Sequence, residues 1–419
     1  MNKLFINFVS IFSATFVSRL LSFIYFTILA RYLSTTEMGI YGYLFAYIGL
    51  GNILTDFGIN RILVRDVARD HSLAQNYLKH IITLRTFLSL GSAILLYAVI
   101  LILPKDSTVL LFAPLALLSI FPYSLSFTFD YTLKAREKMR SSAISMISFE
   151  LTKIVLLSLV IWLNFRLIGV LSMLVLAFII YTLILSSFLR RDGLRLGWGF
   201  SLPAWKTILS ASLPFALLNV MEIIHSRLDL FLLKNLLTDD AITGYYFVAY
   251  RFMDVVLILP AASSIVLLPM FSRHFVSDTK KIQAEYTLFL KILLLAGLLV
   301  AAMVYLFSDF IILTAFGARY EPSIHILRIL TVSMFFFFLQ YANSTFLIAS
   351  DIKWQVLIFT LAQLVINLIL NLVLIPRLGA SGAAWAHNIS SACGFLLFSL
   401  MIRIYIRSLH SPAAKSPIA

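Results

Sequence analysis

The chain has 419 residues, 61% of them hydrophobic and only 12% charged, against ~45–50% apolar and ~25% charged for a typical soluble domain. That composition excludes a soluble enzyme. A formal net charge of +14 would suggest nucleic acid in a soluble protein, so the placement of the cations matters more than their sum.

Apolar runs of ~20 residues recur along the whole length and read as membrane-spanning helices. The runs are continuous blocks and lack the period-two alternation of a transmembrane β-barrel. In chain order the predicted spans cover roughly residues 5–31, 39–61, 80–103, 108–131, 141–163, 167–189, 207–236, 241–271, 283–308, 323–349, 354–375 and 381–405. The first begins after Met1-Asn2-Lys3 and continues past Arg19 to Ala30 with no small-residue cleavage site, so it reads as a retained span and not a signal peptide. Pro114, Pro122, Pro214, Pro260 and Pro269 fall inside spans, where they kink a helix or free a carbonyl.

With a cytoplasmic N-terminus, most Lys and Arg collect on the cytoplasmic side, as in Arg61, Arg65 and Arg69, Lys134 to Arg140, and Arg190, Arg191 and Arg195. Few fall outside: Arg31, Lys105, Arg166, Lys234, Arg319 and Arg377. The positive-inside rule therefore predicts an even number of spans with both termini cytoplasmic. Topology accounts for the charge, and no nucleic-acid partner is needed. Cys393 is the single cysteine, which permits no intramolecular disulfide. Every connection is too short for an extramembrane catalytic domain. The sequence holds no Asp-x-Asp, Walker loop, His-Glu-x-x-His or Gly-x-Ser-x-Gly, which argues against an ATP-driven pump or a hydrolase and implies no cofactor or metal.

Three weak self-matches recur in the same order at a spacing near half the chain. Gly39-Ile40-Tyr41 pairs with Gly244-Tyr245-Tyr246, Ala135-Arg136-Glu137 with Ala349-Ser350-Asp351, and Arg166 to Gly169 with Arg377 to Gly382. They predict a parallel repeat of two six-helix lobes. The N-terminal lobe is residues 1–189, the cytoplasmic linker 190–206, and the C-terminal lobe 207–419 with a short cytoplasmic tail.

Arg19, Arg85, Lys153, Arg227, Arg251, Lys291 and Arg328 lie within predicted spans, where a charge facing lipid is costly and must instead meet protein or water. Arg85, Lys291 and Arg328 lie near span ends, where snorkelling is expected. Glu150 with Lys153 and Arg251 with Asp254 are spaced i, i+3, which puts each pair on one helical face. The first pair reads equally as structural or as a ligand site. Arg19 has no acid within a helical turn, so it faces a cavity, pairs across helices with Asp56 or caps a carbonyl, the cavity being favoured. Arg227 and Arg251, at similar depth in adjacent helices, suggest a shared anion site. Glu222, His225 and Asp229 form one polar stripe that suits proton or sodium coupling, and Asp56 and Asp254 are further intramembrane acids.

Ala30-Arg31-Tyr32-Leu33 to Glu37-x-Gly39-x-Tyr41, then Gly58 to Arg61, resembles the start of the polysaccharide biosynthesis (Wzx-type) oligosaccharide flippases. Arg227-x-Asp229, followed by Gly244-Tyr245-Tyr246 to Ala249-Tyr250-Arg251, is similar to their second half. Ile375-Pro376 to Gly379-Ala380-x-Gly382-Ala383-Ala384 resembles their last hairpin. The resemblance spans essentially the whole chain. It implies the fold of the multidrug/oligosaccharidyl-lipid/polysaccharide exporter superfamily: all-α, about twelve transmembrane helices, two six-helix lobes around a central cavity, as in MATE transporters.

The resemblance further implies flipping of an undecaprenyl-pyrophosphate-linked oligosaccharide from the cytoplasmic to the outer leaflet of the bacterial inner membrane, for O-antigen or capsule assembly. A polysaccharide polymerase is the implied partner. Arg19, then Arg227 and Arg251, with Lys153, would receive the pyrophosphate. Asp56, Glu222, His225, Asp229 and Asp254 are the candidates for proton or sodium coupling. Two relatives set alternatives. A cation-coupled drug antiporter would need a net acidic cavity, and a lipid II flippase usually carries further helices. A polymerase or ligase would need a large outside loop that is missing here.

Overall fold

In a computed structural model the described residues are 3–102, 107–257, 259–261, 271, 279–350 and 353–410, and all regular structure among them is helical. The chain divides into two compact units, residues 1–227 and 228–419.

In the first unit α1 (Lys3–Tyr32) hands over to α2 (Thr35–Asp56) through a capping box. The Ser34 hydroxyl accepts from the Glu37 amide at 3.2 Å and the Glu37 carboxylate accepts from the Ser34 amide at 2.8 Å, so two otherwise orphaned donors are satisfied. Arg166 adds a hydrogen bond to the same carboxylate at 2.6 Å. The predicted second span does not run on to residue 61. It breaks at Phe57 (φ 44°) and Gly58 (φ 75°). A Cβ at Gly58 would lie 2.7 Å from both the Ser212 carbonyl oxygen and the Phe215 Cβ, so close approach as well as left-handed backbone requires glycine. The segment after it, expected as a loop, is α3 (Ile59–Arg69) and a 3-10 turn at His71–Leu73. Ile59, Ile62, Leu63 and Val67 are buried while Arg61, Arg65 and Arg69 are exposed. This is the three-to-four spacing of an amphipathic helix, a period that a search for long apolar runs passes over.

Helix α4 (Ala74–Ile102) precedes a predicted fourth span that is two helices, α5 (Ser107–Leu118) and α6 (Ile120–Ala135). Pro122 has no N–H to offer the Leu118 carbonyl, so the ladder steps through a turn at Ser119. The hairpin from α7 (Met139–Trp162) to α8 (Arg166–Arg191) turns through left-handed Asn164 and Arg166. α1 packs on α7, α7 on α8, α6 on α8, and α4 on α6.

The 190–206 segment, expected as a linker, is docked along α4. Gln75 Nε2 donates to the Arg195 carbonyl at 2.7 Å and Gln75 Oε1 accepts from the Arg195 amide at 2.8 Å, while the Gly199 amide donates to Thr83 at 2.8 Å. Asp192, which caps α8, accepts from Arg136 and from Lys138. Burial pushes its carboxyl upward, but the hydrogen bonds from Lys138 and Arg136 outweigh it and hold the group below its ordinary range.

Helix α9 (Leu202–Leu236) has 35 residues, about 52 Å at ~1.5 Å per residue. In the second unit Asp239 caps α10 (Asp240–Val256), accepting from the Ala241 amide at 2.9 Å. Beyond Ala261, the rest of the predicted eighth span, including Pro269, lies largely outside the described residues. Next come α11 (Thr279–Leu306), the short α12 (Ser308–Ala315), α13 (Pro322–Ala349), α14 (Lys353–Leu378) and α15 (Ala380–His410). α13 packs on α11 and α15, and α14 lies along α15. Their hairpin is tight: Gly379 has φ 59°, and a Cβ at Gly382 would sit 2.3 Å from the Leu374 carbonyl oxygen.

Among the described residues eleven helical segments are long and apolar enough to cross a membrane. α9, the predicted seventh span, is not one of them, although its length exceeds the ~30 Å hydrocarbon core. Large apolar side chains such as Leu111 (73% exposed), Val155 (66%) and Leu295 (65%) face outward. Water would penalise these faces and lipid does not. The protein is a multi-pass, all-α membrane protein.

Candidate functional site

Both units bury polar clusters. In the first, Arg85 lies on α4 and is 1% exposed, so it does not snorkel. Its guanidinium donates to Asp56 Oδ1 at 2.6 Å, Asn60 Oδ1 at 2.9 Å, the Ser124 carbonyl at 2.9 Å and Ser124 Oγ at 3.3 Å. Because Asp56 ends α2 and Asn60 lies in the first turn of α3, one side chain ties both arms of the Phe57–Gly58 elbow to α4 and α6. A forked, permanently charged donor suits that task. The pairing of Asp56 with Arg85, 29 residues away, has no sequence signature.

Lys153 pairs with Glu150 on α7 at 2.8 Å, as the i, i+3 spacing predicts. Its ammonium also sits 4.7 Å from the Tyr25 ring centre and 4.9 Å from that of Phe149, within cation–π range. Phe149 in turn stacks on Tyr181 at 4.7 Å. The arrangement stabilises a buried ammonium and holds α1 to α7.

Arg227 closes the first unit. Its guanidinium lies 5.6 Å from the centre of the Phe45 ring on α2, and its Nη1 is buried with no hydrogen-bond partner among the described residues. A buried guanidinium nitrogen without an acceptor is costly, and an anionic ligand would relieve that cost. Arg19 is exposed on α1. Arg251 belongs to the second unit and pairs with Asp254 at 3.1 Å, again i, i+3.

A buried polar network of the second unit centres on Asp229, which is 1% exposed. It accepts from the Tyr246 hydroxyl at 2.6 Å and Asn371 Nδ2 at 2.8 Å, and lies 3.0 Å from His387 Nδ1. Asn371 also donates to the Asn367 carbonyl at 2.9 Å, and Asn367 donates to Ser390 Oγ at 3.1 Å. Four helices, α9, α10, α14 and α15, meet at one carboxylate. His387 is fully buried, with the Tyr250 ring edge-on at 5.4 Å and Phe337 at 5.6 Å.

Within the predicted stripe, Asp229 thus finds partners on other helices. The side chains of Glu222 and His225 lie outside the described residues. Sequence reading missed His387, Asn367 and Asn371. The i, i+4 spacing of the two asparagines within an otherwise apolar run was the available signal. Among the described residues no group of three or more His, Cys, Asp or Glu could hold a metal ion.

Residues 4–275 match the family described as polysaccharide biosynthesis protein. The chain belongs to that family. No curated protein matches it. Among solved structures it is similar to an inward-facing multidrug resistance MATE family transporter, with TM-score 0.76 and 18% identity over 92% of this chain and 95% of that one. It is also similar to the lipid II flippase MurJ in an inward closed conformation, with TM-score 0.79 and 19% identity over 94% and 87%. A third likeness is a MOP superfamily transporter from Pyrococcus furiosus, described as having reversed polarity of its binding pocket, with TM-score 0.67 and 16% identity over 97% and 96%. At these identities the likeness establishes the fold, which is that of the MATE and MurJ transporters. The protein is thus a polysaccharide biosynthesis family member with that fold.

Proposed function

We propose that this family member flips an undecaprenyl-pyrophosphate-linked oligosaccharide repeat unit from the cytoplasmic to the outer leaflet of the bacterial inner membrane, by alternating access, for O-antigen or capsule assembly. The observation that carries the reading is Arg227, a half-buried side chain whose guanidinium lies against Phe45 with Nη1 buried and unpaired among the described residues. A pyrophosphate cannot enter hydrocarbon unaided, and a guanidinium offers it paired N–H donors where the dielectric is low. Arg19, with no acid beside it on its own helix, is the second candidate for that anion. Lys153 and Arg251 already have carboxylate partners, which ranks them lower.

Coupling, on this reading, runs through Asp229 and His387. A carboxylate and an imidazole in contact, both buried, form a unit whose charge changes when a proton enters. Tyr246 and Asn371 hold the carboxylate in place beside the imidazole. Asp56 is occupied by Arg85 and Asp254 by Arg251, so both rank below Asp229.

The test is leaflet transfer of a fluorescent prenyl-pyrophosphate oligosaccharide in proteoliposomes. Native protein transfers it, Arg227→Ala loses at least tenfold in rate, and Arg227→Lys recovers only part because the fork is lost. Native protein that moves no such lipid but expels a cationic dye under a proton gradient would identify a drug antiporter instead.

A further inference from the structure

The start of α9, the end of α2 and the middle of α4 enclose a groove of about 570 Å³ with Phe57, Leu88, Trp205, Lys206, Leu209 and Leu213 among its walls. Nearly all of it is hydrocarbon. Lys206, Leu209 and Leu213 follow i, i+3, i+7 and so share one face of α9. Leu213 therefore lies about 10 Å along the helix from Lys206, at ~1.5 Å per residue.

Three observations say what fits there. First, the mouth is positive: between Gly193 and Leu213 the charged residues are Arg195 and Lys206, with no acid. Lys206 is exposed and has no ion-pair partner among the described residues. Second, the mouth carries aromatic side chains suited to a membrane interface. Trp198 and Phe200 are 68% and 67% exposed on the segment fastened to α4, and the Trp205 ring packs against Phe200 at 4.8 Å and Phe87 at 5.6 Å. Exposed Trp beside Lys or Arg marks the headgroup level of a bilayer. Third, the indole N–H of Trp205 is buried and has no acceptor among the described residues. An unsatisfied buried donor beside an apolar groove calls for an acceptor at the groove's mouth.

We propose that this groove is a binding site for one anionic diacyl phospholipid. The phosphate meets Lys206, an ester carbonyl accepts from the Trp205 indole N–H, and an acyl chain lies along Leu209 and Leu213 toward Leu88 and Phe57. The ester separates this occupant from a prenyl phosphate, which has a phosphate and a chain but no carbonyl at that depth. The site is distinct from Arg227 and from the Asp229 network, and it does not depend on the transport substrate.

Trp205 reports its own occupancy. In a full-length variant whose other four tryptophans are Phe, reconstituted in phosphatidylcholine vesicles, fluorescence quenching by dibrominated phosphatidylglycerol is compared with that by dibrominated phosphatidylcholine. One lysine at a membrane surface corresponds to about a five-fold preference for the anionic lipid. We expect that preference for the native groove and none for Lys206→Gln. An ether-linked phosphatidylglycerol competitor should displace the brominated lipid less well than the ester form. Ser210→Phe, which narrows the groove and keeps the Lys206 charge, should reduce quenching by both lipids. A native thermal melt in each variant guards against misfolding. Equal quenching by the two brominated lipids would overturn the proposal, leaving bulk lipid contact only. Displacement by stoichiometric undecaprenyl phosphate in preference to phosphatidylglycerol would overturn it in favour of a prenyl carrier site.

Discussion

Arg85→Met distinguishes a structural brace from a transport residue. The substitution keeps the length of the stem and removes four hydrogen bonds, two to side-chain carbonyl or carboxyl oxygens and two to Ser124. It takes the guanidinium from Asp56, which keeps the Asn60 amide at 3.4 Å and whose side chain is 21% exposed against 1% for Arg85. Removing one partner of a buried pair costs ~3–5 kcal/mol, and the partial exposure of Asp56 argues for the low end, about 3 kcal/mol. Asp56→Leu alone strands the guanidinium with Asn60 and Ser124 still bound, which should cost about 2–3 kcal/mol. The double variant leaves neither charge behind. Its loss should fall short of the sum of the single losses by about 1–3 kcal/mol, the coupling of a direct contact. Chemical unfolding in detergent micelles, followed by intrinsic fluorescence, measures all four forms, and proteoliposome transfer measures their activity. We expect the double variant to retain gradient-driven transfer. Additive single losses, or a double variant that melts like the native protein yet transfers nothing under a gradient, would refute the brace.

The remaining predictions concern the second unit, the hairpins and the acid limb of stability. His387→Asn keeps a donor for Asp229, so stability should change by less than about 1.5 kcal/mol while transfer loses its dependence on the proton gradient; unchanged pH dependence would remove His387 from coupling. Asp229→Asn removes the charge that three groups contact. It should abolish gradient-driven transfer and cost about 1–3 kcal/mol in unfolding assays. Gly382→Ala places a Cβ 2.3 Å from a backbone oxygen, so a loss of at least about 2 kcal/mol is expected, visible as a lower melting temperature. Asp192 has a depressed folded-state carboxyl pKa. Its contribution is therefore complete above the unfolded value of ~3.9 and lost as pH falls through the folded one. Asp192→Asn should lower stability at neutral pH and flatten the acid limb of a melting-temperature profile.

The sequence alone determines the solvent and the element type. Apolar runs of ~20 residues with most of the charge in the loops leave a helix as the spanning structure, because lipid satisfies no backbone hydrogen bond. Local spacing was equally legible. Glu150 with Lys153 and Arg251 with Asp254 pair as i, i+3 requires, since a helix turn is a local object. Tertiary structure decided what depends on distant approach. The elbow at Phe57–Gly58 needs a glycine because Ser212 and Phe215 arrive from far along the chain. The supposed linker is fastened to α4 by Gln75 and Thr83, two ordinary polar residues. Asp229 reads as part of a stripe on its own helix, yet its partners Tyr246, Asn371 and His387 come from three other helices. Hydropathy and helical period report which residues cannot face lipid. They do not encode which of them meet, because the cost of a buried charge is relieved by any partner that the packing brings within 3 Å.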